Sequence, residues 1–190
     1  MLLTIMQYSS FKDDVGFLQF KKEYIGIPIW KLAFYTHVFS SLFTLCAGFT
    51  QFSTYVLQHH KKLHRFIGRL YVYDILIINF PAGMIMAFYA NGHLPTKIAF
   101  VILDSLWFLF TFKAVVAAKA KDIKKHRRFM IRSYALTFSA VTLRTWKIVL
   151  PFFFHFDIVT LYMIDAWMGF VPNLLFAEWL IRKIEKRSNK

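Results

Sequence analysis

Cysteine is almost missing from this chain: Cys46 is the single thiol among 190 residues. One thiol cannot close a disulfide within the chain, and it cannot form a dithiol redox pair there. Cys46 falls inside an apolar run and reads as a packing residue. Glycine is scarce too, at seven residues, too few and too scattered for a phosphate-cradling loop. The Gly-x-Ser-x-Gly elbow and the His-Glu-x-x-His zinc signature are both absent, which removes the common hydrolase patterns. The alternation of apolar and polar residues that a membrane barrel needs is missing. The start, residues 1–6, is apolar but short and has no basic flank, so no cleavable signal peptide is expected and an internal helix is expected to direct insertion. Acidic residues are few: 10 Asp and Glu stand against 24 Lys and Arg, for a net charge of +14.

Apolar side chains are abundant instead. Hydrophobic residues make up 57% and aromatics 19%, including 23 Phe, more than a soluble domain of this length can bury. They fall into five runs, at residues 32–57, 70–90, 98–118, 129–151 and 158–181. Each approaches or exceeds the roughly 20 residues that cross a hydrocarbon core. Lipid offers no hydrogen bonds, so runs of this length must be helical. The expected class is all-α, an integral membrane helical bundle of about five transmembrane helices. Asn91-Gly92-His93-Leu94-Pro95 is expected to form the turn between the second and third. Pro81 and Pro172 are expected to kink theirs.

The basic residues alternate with these runs. Lys61, Lys62, Arg65 and Arg69 follow the first run. Lys119, Lys121, Lys124, Lys125, Arg127, Arg128 and Arg132 follow the third. Arg182, Lys183, Lys186, Arg187 and Lys190 close the chain. These sixteen compare with five on the opposite side, Lys12, Lys21, Lys22, Lys31 and Lys97. Such an asymmetry sets topology. The N-terminal segment is expected outside and the C-terminus inside, in a bacterial cytoplasmic (inner) membrane. The same clustering argues against a nucleic-acid partner and for basic inner loops facing anionic lipids. The expected organisation is one domain: an extracytoplasmic segment 1–31, in part the remnant of a further helix, a five-helix domain 32–182, and a basic tail 183–190. Arg65-Phe66-Ile67-Gly68-Arg69-Leu70-Tyr71 and Arg128-Phe129-Met130-Ile131-Arg132-Ser133-Tyr134 echo each other at an offset of 63 residues, and are read as a recurrent interface anchor. Trp30 and Trp179 fit an interfacial belt, whereas Trp107, Trp146 and Trp167 read as packing residues.

Several strings together resemble a bacterial membrane-protein family, domain of unknown function 2306. They are Phe34-Tyr35-Thr36-His37, Gly48-Phe49-Thr50-Gln51-Phe52-Ser53, Leu63-His64-Arg65-Phe66-Ile67-Gly68-Arg69-Leu70-Tyr71, His126-Arg127-Arg128-Phe129-Met130-Ile131-Arg132-Ser133-Tyr134-Ala135-Leu136-Thr137, and Val171-Pro172-Asn173-Leu174-Leu175-Phe176-Ala177-Glu178-Trp179. The resemblance covers about residues 30–182. It implies a multi-pass helical bundle and assigns no activity.

The chemistry must therefore be read from ionisable groups inside the runs, where they are costly and face the protein interior or a wet cavity. His37, Asp104, Arg144, Lys147 and Asp165 fall in the outer halves of four runs, two cations against two carboxylates. They form a candidate pocket for protons or for a small anionic or quinone-like ligand. His37, Ser41, Thr44, Gly48 and Gln51 share one helical face. So do His126, Ser133, Thr137, Ala140, Arg144 and Lys147. Such stripes equally mark helix–helix contacts. The alternative is a b-type haem electron carrier or quinone-linked reductase component, with His64 and His126 as axial ligands to the haem iron, and no metal beyond that iron is expected. Arg65, Arg69, Arg127 and Arg132 would then hold propionates or lipid phosphates. A structural membrane subunit is the third reading. Asp74 is expected to pair with Arg69 or Arg132, and Glu178 with Arg182. His93 and His155 are expected to be exposed.

Overall fold

The computed structural model describes residues 6–12 and 15–188. Residues 1–5, which carry most of the short apolar start, lie outside the described residues, as do Asp13, Asp14, Asn189 and Lys190. All the regular elements among the described residues are helical, in line with the apolar runs. The chain divides into two compact units, Met1–Tyr89 and Ala90–Lys190.

The first unit opens with two short 3-10 turns, Gln7–Ser10 and Gly16–Phe20, and a helical turn Lys22–Ile25. Helix α1, Pro28–Gln51, starts four residues before the apolar run because Pro28 occupies its first position and Ile27 before it is extended, as a residue preceding proline must be. Ser53 caps α2, Thr54–His59, by accepting the Val56 N–H at 3.3 Å. Helix α3, Lys61–Tyr73, runs into a π-helical segment, Asp74–Asn79, and on into α4, Phe80–Phe88. Pro81 lies in the first turn of α4.

The N-terminal turns pack onto α1. Tyr8, Leu18, Trp30, Phe34 and Val38 form a buried cluster, in which Trp30 stacks on Phe34 at 5.5 Å. Trp30 is only 1% exposed. It is a core residue and not the interfacial anchor expected of it, because the preceding segment folds back over it. Cys46 is exposed on α1 and packs against no core, contrary to expectation. An apolar side chain on the outside of a membrane helix needs no protein partner.

In the second unit, α5 spans His93–Lys119, α6 Ile123–Thr137, α7 Ser139–Phe153, α8 Ile158–Met168 and α9 Val171–Ser188. The turn before α5 is shorter than expected. It closes at Gly92, which takes φ 83°, and Pro95 is absorbed into the first helical turn, where no backbone donor is lost. Asp122 caps α6 at Lys125 N, 2.9 Å, and Asp157 caps α8 at Thr160 N, 2.9 Å.

Among the described residues, four helical stretches are long and apolar enough to cross a membrane: Pro28–Gln51, Lys61–Phe88, His93–Lys119 and Ile158–Arg187. The remaining run, 129–151, is helical but interrupted. α6 ends at Thr137 and α7 resumes at Ser139, with Phe138 between them. It also carries Arg132, Arg144 and Lys147, and so stands apart from the other four.

Candidate functional site

The π segment positions the polar groups of the first unit. One extra residue per turn brings positions five apart onto the same face. Asn79 Nδ2 therefore donates to Asp74 Oδ2 at 3.0 Å, with both residues buried. Ser40 of α1 lies beside the same carboxylate. Asp74 is thus held by the neutral Asn79 amide on its own unit, and Arg132 is committed elsewhere. His37 lies on α1, half-buried. Gln51 Nε2 donates to the His64 carbonyl at 3.2 Å and ties α1 to α3. Gly68 faces that amide: a Cβ there would meet Gln51 Oε1 at 2.8 Å, so a larger residue would push the Gln51 side chain aside. His64 is half-buried, while Arg65 and Arg69 are exposed. Lys21, one of the five cations on the outer side in the sequence, is buried. It is 3% exposed, donates to the Tyr89 carbonyl at 2.5 Å and sits over the Tyr24 ring at 4.9 Å. No short-range pattern signals that burial.

In the second unit the stripe on the fourth run is a packing seam. Thr111 Oγ1 and Ser133 Oγ are 2.7 Å apart, Trp107 Nε1 donates to Thr137 Oγ1 at 3.0 Å, and His126 Nδ1 meets the Ala114 carbonyl at 2.9 Å. These contacts descend the α5–α6 interface at helical spacing and satisfy groups that lipid would leave unpaired. His126 thus serves as a tie between two helices. Arg132 makes a two-pronged contact with Glu178, at 2.5 Å and 2.9 Å, and stands over the Phe110 and Phe129 rings. Glu178 takes Arg132 as its direct partner, with Arg182 a more distant charge. Arg127 is exposed. His93 and His155 are exposed, as expected. Trp167 is 37% exposed and packs in part, its ring 5.8 Å from that of Phe170, whereas Trp179 is 53% exposed.

A polar junction gathers where two helices break. Asn173 Nδ2 lies 3.0 Å from Thr142 Oγ1, 3.1 Å from Gly169 O, 3.2 Å from Ala135 O and 3.4 Å from Ser139 Oγ. Thr142 Oγ1 also donates to Gly169 O at 2.5 Å. The interruption at Phe138 and the one between α8 and α9 are therefore knitted together. The four candidate residues of the second unit lie on α5, α7 and α8. Arg144 bonds the Ala140 carbonyl. Lys147, on the next turn of α7, is a cation whose charge acts on Asp165 of α8. Asp165 is 5% exposed and its Oδ1 accepts no hydrogen bond among the described residues. Asp104, on α5, is 6% exposed and its Oδ2 is likewise unmet. α8 packs against both α5 and α7. No group of three or more His, Cys, Asp and Glu capable of holding a metal ion occurs among the described residues.

Long apolar helices whose buried polar groups bond helix to helix define a multi-pass α-helical membrane protein. The chain belongs to the family of predicted membrane proteins designated DUF2306, whose model matches residues 34–181. The family resemblance read from the His-Arg strings is thereby borne out, and the protein is a resident of the lipid bilayer. No curated protein and no solved structure matches the chain.

Proposed function

We propose that this membrane protein carries protons, or binds a small ligand that bears hydrogen-bond donors or positive charge, at Asp104 and Asp165 of its second unit. The observation that carries the reading is the pair of buried carboxylates, each with an oxygen that no described group satisfies. Leaving such an acceptor unmet costs about 1–3 kcal/mol, and more for a charged group. A fold that needed only packing would place an apolar residue there. A proton or a donor-bearing ligand supplies what is missing. Lys147 balances Asp165 in part. The interruptions at Phe138 and Gly169 supply the discontinuous helices beside which transport sites are commonly built. His37, on the first unit, is not needed for this reading. The membrane is taken to be the bacterial cytoplasmic one, with the N-terminal segment outside and the basic ends inside; the sixteen-to-five distribution of Lys and Arg supports that orientation.

The test is proton uptake by proteoliposomes containing the whole chain and a pH-sensitive dye inside, driven by an imposed potential. The wild type is expected to acidify or alkalinise the lumen faster than empty vesicles. Asp165→Asn and Asp104→Asn should each lower that rate at least tenfold while the protein stays folded. If both variants match the wild type in flux, and in the binding of any ligand that co-purifies, the reading fails.

A further inference from the structure

Between α6 and α9 the second unit has a groove of about 190 Å³. Lys124, Arg127, Arg128 and Glu185 rim it, and Ile131, Ile181 and Ile184 form its floor. Ile131 and Ile181 are 8% and 4% exposed, so the floor is part of the packed contact between the two helices. Arg128 and Glu185 neutralise each other across the rim. Lys124 and Arg127 are exposed and have no ion pair or hydrogen bond to another side chain among the described residues. The groove therefore presents two uncompensated cations above an apolar wall.

Its place in the fold decides what fits. The spans His93–Lys119 and Ile158–Arg187 both finish close to it in sequence, so it stands where hydrocarbon gives way to headgroups. Trp179, with Lys183 over its ring at 4.7 Å, lies within one turn of Ile181 and marks the same level. A soluble anion would need the cations alone and would leave the isoleucines unused. An apolar ligand would leave the cations unused. We propose that this groove seats an anionic phospholipid, with the headgroup phosphate against Lys124 and Arg127 and an acyl chain along Ile131, Ile181 and Ile184. The proposal is independent of Asp104 and Asp165. It also singles out one groove among the basic loops, because Arg132 is already taken by Glu178.

The experiment is native mass spectrometry of the detergent-solubilised full chain, titrated in parallel with phosphatidylglycerol, phosphatidylcholine and inorganic phosphate. A retained phosphatidylglycerol adduct is expected, with much lower occupancy for phosphatidylcholine. Lys124→Ala with Arg127→Ala should weaken the adduct roughly thirtyfold, at about 1 kcal/mol for each cation near a lipid surface. Raising the salt concentration on the unaltered protein should weaken it as well, which gives a readout that no substitution can confound. Equal retention of both lipids, an adduct indifferent to the double substitution, or inorganic phosphate displacing the lipid completely at micromolar concentration would each overturn the proposal. The last would make the site one for a soluble phosphate.

Discussion

Asn173 offers the sharpest energetic test of the second unit. Its amide nitrogen has two protons and four oxygens in reach, from α6, from α7 and from the α8–α9 break. At most two bonds are well directed at once, so Asn173→Ala removes about two interhelical bonds. Such bonds in membrane proteins average about 0.6 kcal/mol and reach about 1.7. Thr142 would still donate to the Gly169 carbonyl, which limits the penalty for an unmet acceptor. The expected loss is therefore about 1–2 kcal/mol, read as a shift in reversible unfolding in mixed micelles. Thr142→Val alone should cost less, because Asn173 still serves Gly169. Together the two substitutions leave that carbonyl with neither side-chain donor, so the double variant should be less stable than either single. A double variant no less stable than Asn173→Ala, or an Asn173→Ala change below about 0.3 kcal/mol, would refute the view that this junction holds the broken helices together.

Two smaller effects follow from the helix starts. Gly92→Ala should destabilise the unit by about 1–2 kcal/mol for its left-handed backbone alone, since φ there is 83°; a far-UV circular dichroism melt checks this, and an unchanged midpoint would contradict it. Asp157 caps α8 from outside the membrane-spanning stretch, and its hydrogen bonds from Thr160 hold its carboxyl below the ordinary aspartate range. A folded pKa below the unfolded one contributes stability that is present above the unfolded pKa and is lost as pH falls through the folded value. The melting temperature should therefore drop on acidification through the lower carboxylate range, and part of that drop should vanish in Asp157→Asn, which keeps an acceptor but cannot titrate.

The helices were legible because bilayer physics is severe: long apolar runs admit one backbone solution, and basic clusters punctuate them. The boundaries were less so. Pro28 extends α1 backwards and Pro95 sits inside α5, and both follow from first-turn proline geometry. The interruption at Phe138 carries no glycine or proline at that position and was not visible. The polar stripe of His126, Ser133 and Thr137 was visible, and its partners on α5 came only with the packing. Glu178 had a cation four residues on, but Arg132 reaches it from another helix with two bonds instead of one. Trp30 and Lys21 are buried for one reason: an N-terminal segment that packs back on its own helix covers residues whose sequence neighbours look exposed. The π turn was hidden as well, although an Asp and an Asn five apart in an apolar run are the pair that such a turn brings together.

On the proposed reading Asp104 is kept for what it binds and not for the fold. The direct measurement is the unfolding midpoint of Asp104→Asn against wild type in the same detergent. The carboxylate has an oxygen no described group satisfies, so removing its charge should leave the midpoint unchanged or raise it, while flux or ligand binding falls. A midpoint lowered by several degrees would show the carboxylate to be a structural partner, and would contradict the proposed role.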